Sequence, residues 1–106
     1  MIIKRGDVWR VVLGPRERGP RKTLPCVVIS PPELHDFLDT VIVAPVSTTD
    51  RAAPFRVALQ IEGRKGVILL DQLRVMEKKR LVMRIGKVGP SALRDSLGAL
   101  QQTFAP

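Results

Sequence analysis

The apolar positions of this chain fall into short runs, broken at close intervals by Gly and Pro. Runs at 7–13, 25–30, 40–46, 55–61, 66–75 and 82–88 are rich in Val, Ile and Leu, several of them without interruption. Six such runs at short spacing predict a small antiparallel sheet curled on itself. The C-terminal end has a different period. Leu93, Leu97, Leu100 and Phe104 recur at four, three and four residues, one face of a helix, with Pro90 suited to its first turn. A shorter helical turn is predicted at 77–81. No internal repeat, low-complexity tract or long linker interrupts the pattern. The expected fold is therefore mainly β, a compact barrel closed by a C-terminal helix, in one domain over 1–106.

A chain of 106 residues is large enough for a hydrophobic core without disulfide or metal staples. Its one cysteine, Cys26, lies inside an apolar run and has no partner in the chain, which predicts a buried structural thiol and a reducing compartment. The opening MIIKRGD has no hydrophobic signal region, and the longest apolar stretches are only a handful of residues. A soluble cytoplasmic protein is the expectation.

Charge changes the picture because it is unevenly placed. Residues 1–22 carry seven basic groups (Lys4, Arg5, Arg10, Arg16, Arg18, Arg21, Lys22) against two acids, and residues 74–87 carry six (Arg74, Lys78, Lys79, Arg80, Arg84, Lys87) against one. The middle is slightly acidic, and the net charge is +8. Two basic blocks brought together by folding would make a polyanion site, nucleic acid being the commonest ligand; a solvated basic surface is the other reading.

Several chemistries are poorly supported. With one histidine, one cysteine and no tyrosine, there is little material for a His/Cys metal site, a Ser-His-Asp triad or a Cys-His pair. His35 sits in the proline-rich PPELHDF, where an exposed loop histidine is expected. No G-x-x-x-x-G-K-[ST] phosphate loop occurs. Trp9 and three phenylalanines are too few for a base-stacking platform, and Trp9, alternating with Asp7 and Val11, reads as core. What remains is a polar cluster, STTDR at 47–51, directly after the strand TVIVAPV. Hydroxyls at a strand end can donate to a phosphate, and the same residues also make ordinary turns.

Taken in order, RGDVW (5–9), KTLPCVVISPPE (22–33), TVIVAPVSTTDRAAPFRV (40–57), GVILLDQLRV (66–75) and the ending KKRLVMRIGKV before an amphipathic helix resemble the MazF/PemK family of toxin endoribonucleases. The match rests on the order and spacing of these segments over nearly the whole chain. The resemblance implies an SH3-like barrel of the PemK/MazF/CcdB type, a homodimer, selective cleavage of single-stranded RNA, and neutralisation by a MazE-like antitoxin. It implies no cofactor or metal, since the ribose 2′-OH attacks the neighbouring phosphate and the enzyme supplies a base, an acid and a charge stabiliser.

On the family pattern Thr48, with Ser47 beside it, would hydrogen-bond the scissile phosphate. The catalytic guanidinium comes from an Arg-Pro pair, where this chain has Leu24-Pro25. A second branch of the family draws its acid/base pair from the segment aligned with LLDQ, which offers Asp71 as a base, though Asp71 also reads as a structural acceptor of backbone hydrogen bonds; the arginine of that branch would stand at Leu69. Both usual cationic catalysts are thus missing. Lys22, on the face of Leu24 about 7 Å away along an extended strand, could return a charge only with shifted geometry. RNA contacts are expected from Arg5, Arg16, Arg18, Arg21, Lys22, Arg51, Arg56, Gln72, Arg74 and Lys78. The resulting expectation is a MazF-like nuclease impaired at Leu24, by nature or by a detoxifying substitution. The alternatives are a CcdB-like protein-capturing toxin and a small basic RNA-binding module.

Overall fold

The computed structural model describes residues 1–14 and 22–106. Their order is β1 (Asp7–Val12), β2 (Thr23–Val28), α1 (Pro32–His35), β3 (Thr40–Ser47), β4 (Arg56–Ile61), β5 (Arg64–Leu69), β6 (Arg74–Glu77), β7 (Leu81–Lys87) and α2 (Pro90–Phe104). The strands lie in the order β4-β5-β3-β2-β1-β7, all antiparallel, with β6 paired to β3 off this path. The sheet curls so far that its two ends approach: a Cβ added to Gly86 on β7 would lie 3.1 Å from Ile61 Cδ1 on β4. No ladder joins β4 to β7 among the described residues, so the barrel is an open half-barrel.

Both faces of the sheet are covered, which explains the near-continuous apolar runs. Val8, Val27, Ala44, Val46 and Ile68 point into one core, where Leu100 and Ala99 of α2 close over them. Trp9, Val11, Cys26, Val28, Val41 and Val43 point into the other. Phe104, the last member of the helical stripe, is 72% exposed and does not join the core that Leu100 closes.

The expected run at 66–75 is two strands. β5 ends at Leu69, a 3-10 turn follows at Leu70–Gln72, and β6 resumes at Arg74. The Leu70 N–H donates to the Phe55 carbonyl at 3.2 Å, in register with the β4–β5 ladder, and the chain turns beyond it. The eight-residue β3 therefore serves two partners, β6 along its first half and β5 at its end. The turn expected at 77–81 is a 3-10 turn at Lys78–Arg80.

The RGD segment is an anchor. Gly6 adopts φ +89°, a region that favours glycine, so that its N–H donates to Val28 O at 2.8 Å while its carbonyl accepts from Val88 N at 2.8 Å. The buried Asp7 carboxylate accepts from the Lys4 N–H at 2.9 Å and from Arg84 Nε at 3.1 Å. Trp9 is buried, as its strand position predicts. His35 departs from expectation, since it is fully buried. Its Nε2 faces the Ile3 carbonyl at 2.7 Å and its Nδ1 faces Ser30 Oγ at 2.9 Å. A carbonyl only accepts, so Nε2 carries the proton and Nδ1 accepts from the Ser30 hydroxyl, whose oxygen in turn accepts from the Ile42 N–H at 3.1 Å. Among the described residues, no helix is long and apolar enough to cross a membrane.

Candidate functional site

The ladder between β2 and β3 consists of Cys26↔Pro45, Val27↔Ala44 and Val28↔Val43. Neither Pro25 nor Pro45 has an N–H to extend it. Past this point β3 leaves β2 and joins β5 through Val46↔Ile68 and Ser47↔Val67. The strands diverge, and a groove of about 560 Å³ opens between them. Leu24, Pro25 and Pro45 form one part of its wall, the turn from Ser47 to Asp50 another, and Leu69, Gln72 and Arg74 a third. The tip of the β4–β5 hairpin (Ile61, Glu62, Arg64) reaches across to Arg10 of β1 and closes the far side.

Gly66 sits behind Ser47 at a place with no room for a side chain: an added Cβ would lie 3.0 Å from the Ser47 carbonyl oxygen. Ser47 is held in its turn as acceptor, its Oγ receiving the N–H groups of Thr49 at 3.2 Å and Asp50 at 3.1 Å. With both lone pairs engaged, its hydroxyl is the donor toward Thr49 Oγ1 at 3.3 Å, an exposed contact that a phosphate oxygen could replace. The Thr48 hydroxyl makes no hydrogen bond among the described residues and borders the groove.

Leu24 lies opposite Val11 in the β1–β2 register. Half-buried, it packs against the core of Trp9, Val11 and Cys26, with one edge on the groove. Lys22 is exposed and does not line the groove.

Asp71 lies outside the groove lining. Its main partner is a side chain, with a smaller backbone hydrogen-bond contribution beside it: Arg56 Nε donates to Oδ1 at 3.2 Å and Nη2 to Oδ2 at 3.1 Å, while Arg56 Nη1 donates to Asp50 Oδ1 at 3.1 Å. The hydrogen bond from Arg56 holds the Asp71 carboxyl below its usual range, which makes it a poor proton acceptor. Arg56 is therefore committed to two carboxylates.

Of the cations expected at RNA, Arg74 borders the groove, as does the neutral Gln72. Arg5 lies elsewhere, its Nε donating to the Ile29 carbonyl at 2.8 Å. Arg51, exposed, and Lys78, half-buried, stand away from the lining. Arg16, Arg18 and Arg21 fall outside the described residues. Two arginines that local sequence does not single out, Arg10 and Arg64, do line the groove. Arg10 forms an ion pair with Glu62, a contact across 52 residues that no local pattern could reveal.

The relationships of the chain agree with this geometry. The model of the PemK-like, MazF-like toxins of type II toxin-antitoxin systems matches residues 4–104. Endoribonuclease EndoA of Bacillus subtilis (strain 168) is 30% identical over 115 residues, a match spanning 99% of this chain and 97% of that protein. The fold is similar to that of an endoribonuclease in complex with its cognate antitoxin from a mycobacterial species, with a TM-score of 0.82 at 23% identity over 97% of this chain and 95% of that one. It is equally similar to MazE-MazF from Deinococcus radiodurans, with a TM-score of 0.83 at 21% identity over 98% and 97% of the two chains. The chain therefore belongs to the MazF/PemK family of type II toxin-antitoxin endoribonucleases.

Proposed function

We propose that this chain cleaves single-stranded RNA in the groove at the end of β3, by attack of a ribose 2′-OH on the adjacent phosphate without a metal, and that Leu24 attenuates the reaction. The observation that carries this reading is the convergence of two hydroxyls, Ser47 and Thr48, with Arg10, Arg64 and Arg74 around one groove. Hydroxyls and guanidinium groups are donors suited to a phosphate and to the charge that develops on it.

The attenuation follows from what the groove lacks. Leu24 stands where the family resemblance implies a guanidinium, and a hydrocarbon neither transfers protons nor stabilises charge. Among the described residues the groove carboxylates are engaged, Asp50 with Arg56 and Glu62 with Arg10. Catalysis would then rest on phosphate positioning and charge stabilisation, with little general-base help. Two copies would form the working unit, a symmetric pair needing only one self-complementary patch. The mycobacterial relative was solved with its cognate antitoxin; an acidic antitoxin segment suits this basic chain in the same way, in the cytoplasm where mRNA is found.

Mapping of RNA ends tests the reading. Single-stranded RNAs of varied sequence, incubated in EDTA, should yield 2′,3′-cyclic phosphate and 5′-hydroxyl ends. Binding with no new ends, in the parent and in Leu24→Arg alike, would favour a binder on the same fold.

A further inference from the structure

We infer that Arg10 is the guanidinium that receives an RNA phosphate in the groove, and that Glu62 is the counterion it exchanges for that phosphate. The inference rests on the reading of the groove as an RNA site and adds a residue that the Leu24 position does not predict.

Three observations lead to it. First, Arg10 stands on β1 directly opposite Pro25, so it projects from the strand next to the proline of the Leu24-Pro25 pair and borders the same groove as Thr48. Second, it is the groove arginine already held in place. Arg64 and Arg74 are exposed and form no ion pair among the described residues, whereas the Arg10 side chain is 32% exposed and fixed by Glu62. A held guanidinium has less rotamer freedom to lose when a phosphate arrives, and one aimed beforehand stabilises charge most effectively.

Third, Glu62 occupies a backbone conformation that suits other residues better. It lies at φ +50° in the two-residue turn between β4 and β5, followed by Gly63 at φ +74°. Turns with two positive φ values favour Asn, Asp or Gly at the first position, and a glutamate there is strained. Local strain at a residue whose carboxylate meets a groove arginine points to a use for that carboxylate. Holding Arg10 ready, and yielding it to a phosphate of a polyanionic strand whose binding releases counterions, is such a use.

The test is anisotropy titration of an uncleavable 2′-O-methyl single-stranded RNA at several salt concentrations. Arg10→Gln should weaken binding and lower the slope of log affinity against log salt by about 0.7, the loss of one phosphate contact on a single strand. Glu62→Asn suits the turn, so the fold should hold, and it should tighten binding severalfold through the released Arg10. That gain should vanish in the double variant. Arg94→Gln, on the exposed face of α2, is the control and should change neither quantity.

If Arg10→Gln and Glu62→Asn weaken binding together, the pair is a structural clasp and the inference is wrong. It is equally wrong if the salt slope does not move, or if the parent does not bind this RNA. Arg10-dependent binding with no cleaved ends in any variant, Leu24→Arg included, would leave Arg10 in place and overturn the nuclease reading. Cleavage with normal binding by Arg10→Gln would do the reverse.

Discussion

The ring of His35 donates from Nε2 to the Ile3 carbonyl across 2.7 Å, tying α1 to the N-terminal segment inside the protein. With Ser30 and Ile42 it forms a hydrogen-bonded chain closed at every member. His35→Ala would leave a cavity as well as an unpaired carbonyl and hydroxyl, and should destabilise the fold by about 2–4 kcal/mol. His35→Phe refills the volume but not the hydrogen bonds, so it should still cost about 1–3 kcal/mol. Urea denaturation midpoints measure both; a phenylalanine variant as stable as the parent would show that packing alone holds this site.

The Arg56 fork on Asp71 predicts a pH effect of definite sign. The folded-state carboxyl is held below its unfolded value, so its contribution is full above the unfolded pKa and is lost as pH falls through the lower folded value. Both groups are exposed, so the effect should be small and should shrink with added salt. Comparing Asp71→Asn with the parent should show a stability gap that closes as the solution is acidified below the ordinary carboxylate range. RNA cleavage by Asp71→Asn should stay close to the parent rate, whereas a loss of 100-fold or more would make Asp71 the base after all.

Burial pushes the Cys26 thiol up to about 12. At pH 8 it is a protonated thiol out of reach of reagents. A colorimetric disulfide reagent should leave the native protein unlabelled and label one thiol per chain after urea denaturation. Because the folded state holds the proton more tightly, stability should be complete below the ordinary thiol value of 9.0 and decline as pH rises toward about 12.

A dimer is expected in solution. Light scattering at micromolar concentration should return twice the chain mass of 11.8 kDa; a monomer mass would confine the RNA groove to a single chain.

How much of this was legible in the sequence depended on the range of the interactions. The strands and α2 were readable because Val, Ile and Leu repeat at short periods that chain-local geometry imposes, as in TVIVAPV and the Leu93-Leu97-Leu100 stripe. The break at Leu70 was hidden because an apolar run reads the same for one strand or two, and the 3-10 turn that separates them has no local signal. His35 read as a loop residue because its partners Ile3 and Ser30 arrive only on folding. At the site, the hydroxyls and Leu24 could be flagged from local motifs. Arg10 could not, because its role depends on Glu62 at the tip of a hairpin far along the chain. Arg56 was flagged for RNA, and its pairing with Asp50 and Asp71 became visible only in the fold.

The measurement closest to the central claim restores the guanidinium. Leu24 is half-buried with one edge on the groove, so an arginine there can lay its stem on the Trp9 core and carry its head into the groove. In EDTA, Leu24→Arg should cleave single-stranded RNA on the order of 100- to 1000-fold faster than the parent. Thr48→Ala in that background should remove much of the gain. Equal rates in parent and variant, or no cleavage by either across varied RNA sequences with folding verified, would contradict the claim that Leu24 attenuates a nuclease.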